Sequence, residues 1–253
     1  MSGNLIIEPR DRRPELAALV GQLPQLWPTF MEHDATGNLY YADVQRNHPE
    51  HVLVAYEPPD TPVALAYTVP FEFGGKHREQ LPDDGWDGVI RWAALDRDRG
   101  TKPNLVSALE ISIRPDRRGQ GLAAAMLQAM HDNVRRLGFT ELVAPVRPSA
   151  KHLEPHTPMS EYAHRTRPDG LPADPWLRVH ARAGATIVKV APRSMVITGT
   201  LADWRDWTGL PFDTTGDVVV PQALVPVHCS VEHDHAVYVE PNVWMRHPVG
   251  AAL

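Results

Sequence analysis

The chain of 253 residues contains a single cysteine, Cys229, which excludes an internal disulfide framework and the small stapled scaffolds that depend on one. It has no run of about 18 uncharged apolar residues, so no membrane partner and no spanning helix are expected. The opening MSGNLIIEPRDRRPEL lacks the long apolar segment of a signal peptide, and a soluble cytoplasmic protein is the expectation. Positive charge is short: 25 Lys and Arg stand against 31 Asp and Glu, a formal net charge of −6 with histidine neutral. A nucleic-acid binder would carry a basic stripe, so nucleic acid is not expected as a partner. A small neutral or cationic molecule fits the charge better. There is no internal repeat and no low-complexity segment.

Histidine and proline are abundant, at 13 and 25 residues. The prolines cluster in 141–175 and after 210, which predicts long ordered loops rather than further helix. At 43% hydrophobic the chain can bury a substantial core, as one large domain or a domain with an appendage. NLIIE (4–8) predicts a first strand, and PELAALVGQL (14–23) a helix with Pro14 in its first turn. HVLVAYE and PVALAYTVPF, joined by PPDT, predict a hairpin. A short helix is expected within 74–104, and LVSALEISI (105–113) is a strong strand. GLAAAMLQAMHDNVRRL (121–137) is the clearest helix: Ala123, Met126, Leu127, Met130, Val134 and Leu137 share a face, and Gly138 stops it. With ELVAPV (141–146) it makes a parallel strand–helix–strand unit. Beyond the loop 147–173, DPWLRVHARAG predicts a capped helix, TIVKV and SMVITG two strands, LADWRDW a short helix, and the tail from 216 further strands.

Between the strand at 105–113 and the helix at 121–137 lies the stretch RPDRRGQG. A helix N-terminus offers unpaired N–H groups and a partial positive charge, a ready site for phosphate when the backbone can be approached closely. Gly119 and Gly121 clear that approach, Ala123 keeps the first turn thin, and Arg117 and Arg118 add charge at the rim. A Walker loop is excluded because no Gly-Lys-Ser/Thr follows. A Rossmann turn fits poorly: five residues separate the strand end from Gly119, and the acidic residue about 20 positions on, Glu141, opens the next strand.

Arg118-x-x-Gly121-x-Ala123, after a strand ending Ile113-x-Pro115, resembles motif A of the GNAT superfamily of acyl-CoA-dependent N-acyltransferases. The order of elements is similar as well. The resemblance implies an α/β fold: a GNAT-like splayed mixed sheet flanked by helices, with a C-terminal β extension. Residues 1–200 would form the acyl-CoA-binding domain, and 201–253 the extension packed on it. It implies acetyl-CoA or another acyl-CoA as co-substrate. The backbone of Ile111 and Ile113 would pair with the pantetheine arm, and the amides of Arg118, Gly119, Gln120, Gly121, Leu122 and Ala123 would hold the pyrophosphate. The implied reaction is transfer of an acyl group, acetyl by default, to a small-molecule amine. The same site would also serve thioester hydrolysis, decarboxylation, transfer to a hydroxyl, or a non-catalytic acyl-CoA sensor.

Two residues are candidates for the chemistry. Relatives place a tyrosine that serves the leaving thiolate in a pattern like Phe-Tyr-x-x-x-Gly-Phe; here His180 stands at that position, either as a proton donor near neutral pH or as a hydrogen-bonded helix-face histidine. Glu110, expected on one strand face with Ala108 and Ser112 and opposite Leu109, Ile111 and Ile113, is either the base or a paired structural carboxylate. Pro145 takes a position where some relatives keep another base. The loop 147–175 is a lid over the acceptor site or a packed buttress, and the insert at 74–104 would flank the same cleft. HCSVEHDH (228–235) offers Cys229, His233 and His235, but no second ligand pair at familiar spacing, so no metal site is expected. Its strands would extend the sheet or form a homodimer surface.

Overall fold

The computed structural model describes residues 5–24 and 26–250. The chain runs β1 (Ile6–Pro9), α1 (Ala17–Val20), α2 (Ala35–Asn47), β2 (Val52–Glu57), β3 (Thr61–Phe71), α3 (Gly85–Arg99), β4 (Leu105–Ile113), α4 (Leu122–Arg136) and β5 (Glu141–Val146). It continues with α5 (Met159–Tyr162), α6 (Pro175–Arg182), β6 (Thr186–Gly199), α7 (Leu201–Thr208), β7 (Gly216–Val218), β8 (Val227–Ser230) and β9 (His235–Pro248). The strands form one sheet in the order β1-β2-β3-β4-β5-β9-β8-β7, with β6 on the other edge of β9. Among the described strands only β4 and β5 pair in parallel.

Each face of the sheet has its own core. The stripe expected on α4 is buried: Met126, Leu127, Met130 and Val134 are each 0% exposed and pack with Val106, Leu142 and Ala144. Burying each such side chain stabilises the fold by about 1.5–3 kcal/mol. The opposite face holds Val54, Tyr67, Phe71, Trp86, Ile90 and Trp204. Trp86 and Trp244, rooted in this layer, each find a carbonyl for the indole N–H, on Leu109 at 3.0 Å and Pro82 at 2.8 Å.

Two irregularities in the sheet position the site. First, β4 and β5 pair only through Val106↔Leu142 and Ser107↔Val143, then diverge. The splay leaves the rest of β4 unpaired on that side. Second, the β3–β4 register shifts between Tyr67↔Glu110 and Thr68↔Ala108, so Leu109 is an extra residue on β4. A bulge breaks the two-residue alternation. Ala108 therefore faces the α4 layer while Leu109 packs in the opposite core, and Ile111 and Ile113 return to the α4 side. This corrects the expected grouping: Glu110 does not share a face with Ala108, nor Leu109 with the two isoleucines.

TIVKV and SMVITG form one strand, β6, whose register against β9 shifts between Ala191 and Met195 around Pro192. The break is local because proline costs one ladder bond. After residue 200 the described chain adds β7, β8 and β9 to the same sheet, and β9 enters the middle of it. Val243–Pro248 pair with β5, and Ala236–Arg246 with β6.

The loop 147–173 is tied down rather than left as a mobile flap. Lys151 is 0% exposed. Its ammonium donates to the carbonyls of Glu154 and Leu224, both at 2.7 Å, and lies 5.8 Å above the Tyr162 ring. Burial lowers its pKa from the ordinary lysine value. Asp174 caps α6 through Trp176 N and Leu177 N and also accepts from Ala150 N and the Tyr162 hydroxyl. Lys151→Met keeps the volume but strands those carbonyls. It is expected to cost about 3 kcal/mol, a fall of roughly 6–12 °C in Tm by scanning calorimetry. An unchanged Tm would show that the ammonium contributes nothing to the loop's anchorage.

Candidate active site

The loop between β4 and α4 places its glycines where side chains cannot go. Gly119 and Gly121 have φ of 76° and 79°, and Gly121 is the residue from which α4 starts. A Cβ built on either meets no protein atom within 4 Å, so glycine serves backbone conformation and open approach, not tight packing. Leu122, Ala123 and Ala124 follow in the first turn, where N–H groups lack intrahelical acceptors. Arg117 pairs with Glu57, and the Arg118 guanidinium donates to the Ile113 carbonyl at 3.3 Å. The first-turn amides that follow Gly121 are open to an anion, whereas two of the expected backbone groups already have partners: the Arg118 amide donates to the Pro115 carbonyl at 3.3 Å, and the Ile113 carbonyl accepts from the Arg118 guanidinium.

A cavity of about 670 Å³ runs from this loop into the splay. Its walls include Ala108, Ile111 and Ile113 of β4, Ala144 to Val146 of β5, Gly119, Gly121 to Ala124, and Trp176 and His180 of α6. Arg147, Glu240 and Asn242 line it as well. Glu240, fully buried, accepts from Arg147 at 2.9 Å, from the Tyr238 hydroxyl at 2.8 Å and from Asn242 at 3.0 Å.

His180 lies in the cavity wall and is 3% exposed. Its Nδ1 is 2.9 Å from Nε2 of His247 on β9, while its Nε2 is buried with no hydrogen-bond partner. Burial, with His247 and His131 nearby, drives its pKa well below the ordinary histidine value. It is therefore neutral at physiological pH. The expectation of a group titrating near neutrality is corrected on this ground.

A second cavity, about 770 Å³, opens on the α2–α3 side. The two meet at one place: Trp27, Trp86, Glu110, Ser112 and Met195 line both. Glu110 accepts hydrogen bonds from the Tyr41 phenol and the Ser112 hydroxyl. Burial and the Glu110 charge keep the Tyr41 pKa well above the ordinary tyrosine value, so its proton stays in place. The walls of this second cavity are aromatic and acidic: Trp27, Tyr41, Tyr67 and Trp86 with Glu32, Asp34 and Glu110.

Beneath it, Asp34 and Asp87 are 2% and 4% exposed and adjacent. Asp34 caps α2 through Gly37 N at 2.5 Å, and Asp87 accepts from Val196 N at 3.3 Å. Burial and then the Asp34 charge push Asp87 up to about 8, so the pair shares a proton at neutral pH. The folded pKa exceeds the unfolded value, so this group's contribution is undiminished below about pH 4 and stability falls as pH rises toward about 8. Asp87→Asn supplies a permanent N–H donor to Asp34. Its stability advantage over the wild type should widen by about 2–4 kcal/mol between pH 5 and pH 9 in urea titrations. A gap independent of pH would rule out the shared proton.

The remaining sequence expectations meet mixed outcomes. From the insert at 74–104, Trp86 reaches both cavities. Of the loop 147–175, Arg147, Ser149 and Pro175 line the first cavity and none lines the second, and the contacts of Lys151 and Asp174 pack the loop against the fold. Cys229, His233 and His235 do not lie along one strand. They belong to the β8–β9 hairpin, in which Ser230 pairs with His235, and Cys229 is buried in the core while both histidines are exposed. Among the described residues no cluster of three or more His, Cys, Asp or Glu is arranged for a metal ion, and no helix is long and apolar enough to cross a membrane. Trp27, Tyr41, Trp86, Arg147 and Glu240 carry no sequence signal of their own. They lie far apart along the chain and no short motif joins them.

A splayed mixed sheet with a glycine-lined anion loop at the mouth of the splay defines a GNAT-type fold. No family model matches the chain. Among solved structures, it superposes on the loading GNATL domain of CurA from Lyngbya majuscula with a TM-score of 0.62 at 19% identity, covering 98% of both chains. It superposes on the GphF GNAT-like decarboxylase in complex with isobutyryl-CoA with a TM-score of 0.51 at 15% identity, covering 97% of this chain and 99% of that one. In sequence it is 38% identical over 189 residues to the arginine N-acetyltransferase avaD of Aspergillus versicolor, covering 67% of this chain and 65% of that protein. The chain thus spans just under two thirds of that relative's length. The chain thus has the fold of the GNAT acyltransferases and is similar in sequence to an N-acetyltransferase.

Proposed function

We propose that the protein is an N-acetyltransferase that moves the acetyl group of acetyl-CoA to a cationic amine by direct attack on the thioester. The observation that carries this reading is the meeting of the two cavities at Glu110. One has a phosphate-binding mouth and a long apolar wall; the other is acidic and aromatic, which suits a positively charged acceptor. Arginine, the substrate in the name of the fungal relative, has that character, and we assign arginine or a similarly charged amino acid as acceptor.

Glu110 takes the proton that the amine must lose. Tyr41 and Ser112 hold its carboxylate in place, one hydroxyl on each oxygen. The amine nitrogen then bonds to the thioester carbon, and the carbon–sulfur bond breaks. His180 faces the leaving sulfur from the cavity wall. Arg117 and Arg118 flank the loop whose backbone amides hold the phosphates.

The test is turnover of acetyl-CoA against arginine, lysine and neutral amines, following thiol release and the acetylated product by mass spectrometry. Arginine and lysine should outpace the neutral amines. Thiol release without any amine would instead indicate hydrolysis, and CoA binding without release a sensor.

A further inference from the structure

Three buried histidines run from the cavity wall to the flank of α4, each from a different element. His180 of α6 meets His247 of β9 through Nδ1···Nε2 at 2.9 Å, and His247 meets His131 of α4 through Nδ1···Nε2 at 3.1 Å. His247 is 0% exposed, and His131 retains 6% of its surface in solvent beside Asp132 and Arg135. At the other end, the Nε2 of His180 is buried without a partner in the wall of the cavity.

Tautomer counting restricts this chain sharply. A neutral imidazole carries one N–H, and each of the two nitrogen–nitrogen contacts needs one proton. Two arrangements let all three rings act alike. Either all three rings are protonated on Nε2, and His180 offers an N–H to the cavity, or all three are protonated on Nδ1, and His180 offers a lone pair. The outer nitrogen of His131 and the cavity nitrogen of His180 are thereby locked together.

The geometry points to a proton relay in which His131 and His247 supply, through His180, the proton taken up by the leaving thiolate. This rests on the acetyl transfer proposed above. The Nε2–H bond of His180 breaks as the S–H bond forms. The Nε2 proton of His247 moves to Nδ1 of His180, and the Nε2 proton of His131 to Nδ1 of His247. Solvent supplies a proton to Nδ1 of His131. One proton has passed from water to sulfur and no ring has become charged. A cationic amine gives up two protons on acylation: Glu110 takes one, and the reverse shift takes the other from the cavity and restores the starting tautomers. Burial supports a concerted shift, because it disfavours imidazolium at every station: His131 is lowered, His180 well lowered, and His247 lowered to about 3. His247 and His131 are positioning residues; of the three, His180 alone touches the reacting atoms.

His247→Gln and His131→Gln retain hydrogen-bonding capacity but cannot pass a proton. Each should lower kcat about tenfold or more with the KM for acetyl-CoA within about twofold. His180→Ala combined with His247→Gln should be no slower than His180→Ala alone, because the three act as a unit. The solvent deuterium effect on kcat should show a curved proton inventory in the wild type and a linear one in the glutamine variants. Independently of turnover, ¹⁵N shifts of the three side chains should report one shared neutral tautomer at pH 7. A mixed set of tautomers overturns the relay, as does unaltered kcat in both folded glutamine variants while His180→Ala is impaired. Absence of product from the wild type with every amine would point to failure of the proposed acetyl transfer, a different result from either.

Discussion

Gly121→Glu is expected to abolish measurable CoA binding in a protein that still folds. The residue has φ of 79° at the start of α4, and the space beside it is empty of protein atoms out to 4 Å. A glutamate there bears backbone strain of about 1–2 kcal/mol, which a domain of this size tolerates. Its carboxylate, however, enters the position that the first-turn amides keep for phosphate and competes for the same helix terminus. Calorimetric titration with CoA should show at least a hundredfold loss of affinity, roughly 3 kcal/mol or more. The circular dichroism spectrum should be unchanged. A folded variant that binds CoA as tightly as the wild type would falsify the assignment of the loop.

Glu110→Gln should have the largest effect on the chemical step. The side chains are nearly isosteric; the glutamine oxygen still accepts from one of the Tyr41 and Ser112 hydroxyls, and the other hydroxyl turns to accept from the amide NH2. It cannot take the amine's proton. General-base catalysis contributes about 10²–10⁴-fold, so kcat should drop by that factor while the KM for acetyl-CoA stays near its original value. Raising the pH should restore part of the rate, since more of the amine then arrives unprotonated. A kcat within twofold of the wild type would leave Glu110 a structural residue, held by its two hydroxyl partners, and would shift the proton's exit elsewhere.

The strand–helix–strand unit at 105–146 is legible in the sequence because its signals are local: a continuous apolar strand, two glycines, and an apolar stripe at helical spacing. α2 is not, although Asp34 caps it. Its residues ATGNLYYADVQRN are mostly polar, and its Leu39 is 70% exposed, so no stripe announces it. The bulge at Leu109 is also invisible in the sequence. One extra residue leaves the alternation of LVSALEISI intact on paper while reversing which face Glu110 occupies. His180 is found through its place in a motif. Its partners are not: His247 lies 67 positions from His180, and His131 lies 116 positions from His247, beyond the reach of any periodicity. The aromatic, acidic cavity carries no sequence signal for the same reason, being assembled from separate segments of the chain.

The place of β9 has a consequence for how the protein comes into being. Until residues 235–248 have been synthesised, β5 and β6 present open edges to each other with nothing between them. Exposed edges are templates for mispairing, and closure over such sequence separation is slow. Glu240 and Asn242 of the cavity, and His247, arrive on that same strand. A nascent chain therefore carries the complete glycine loop beside an unfinished cavity, with two strand edges exposed until β9 is in place.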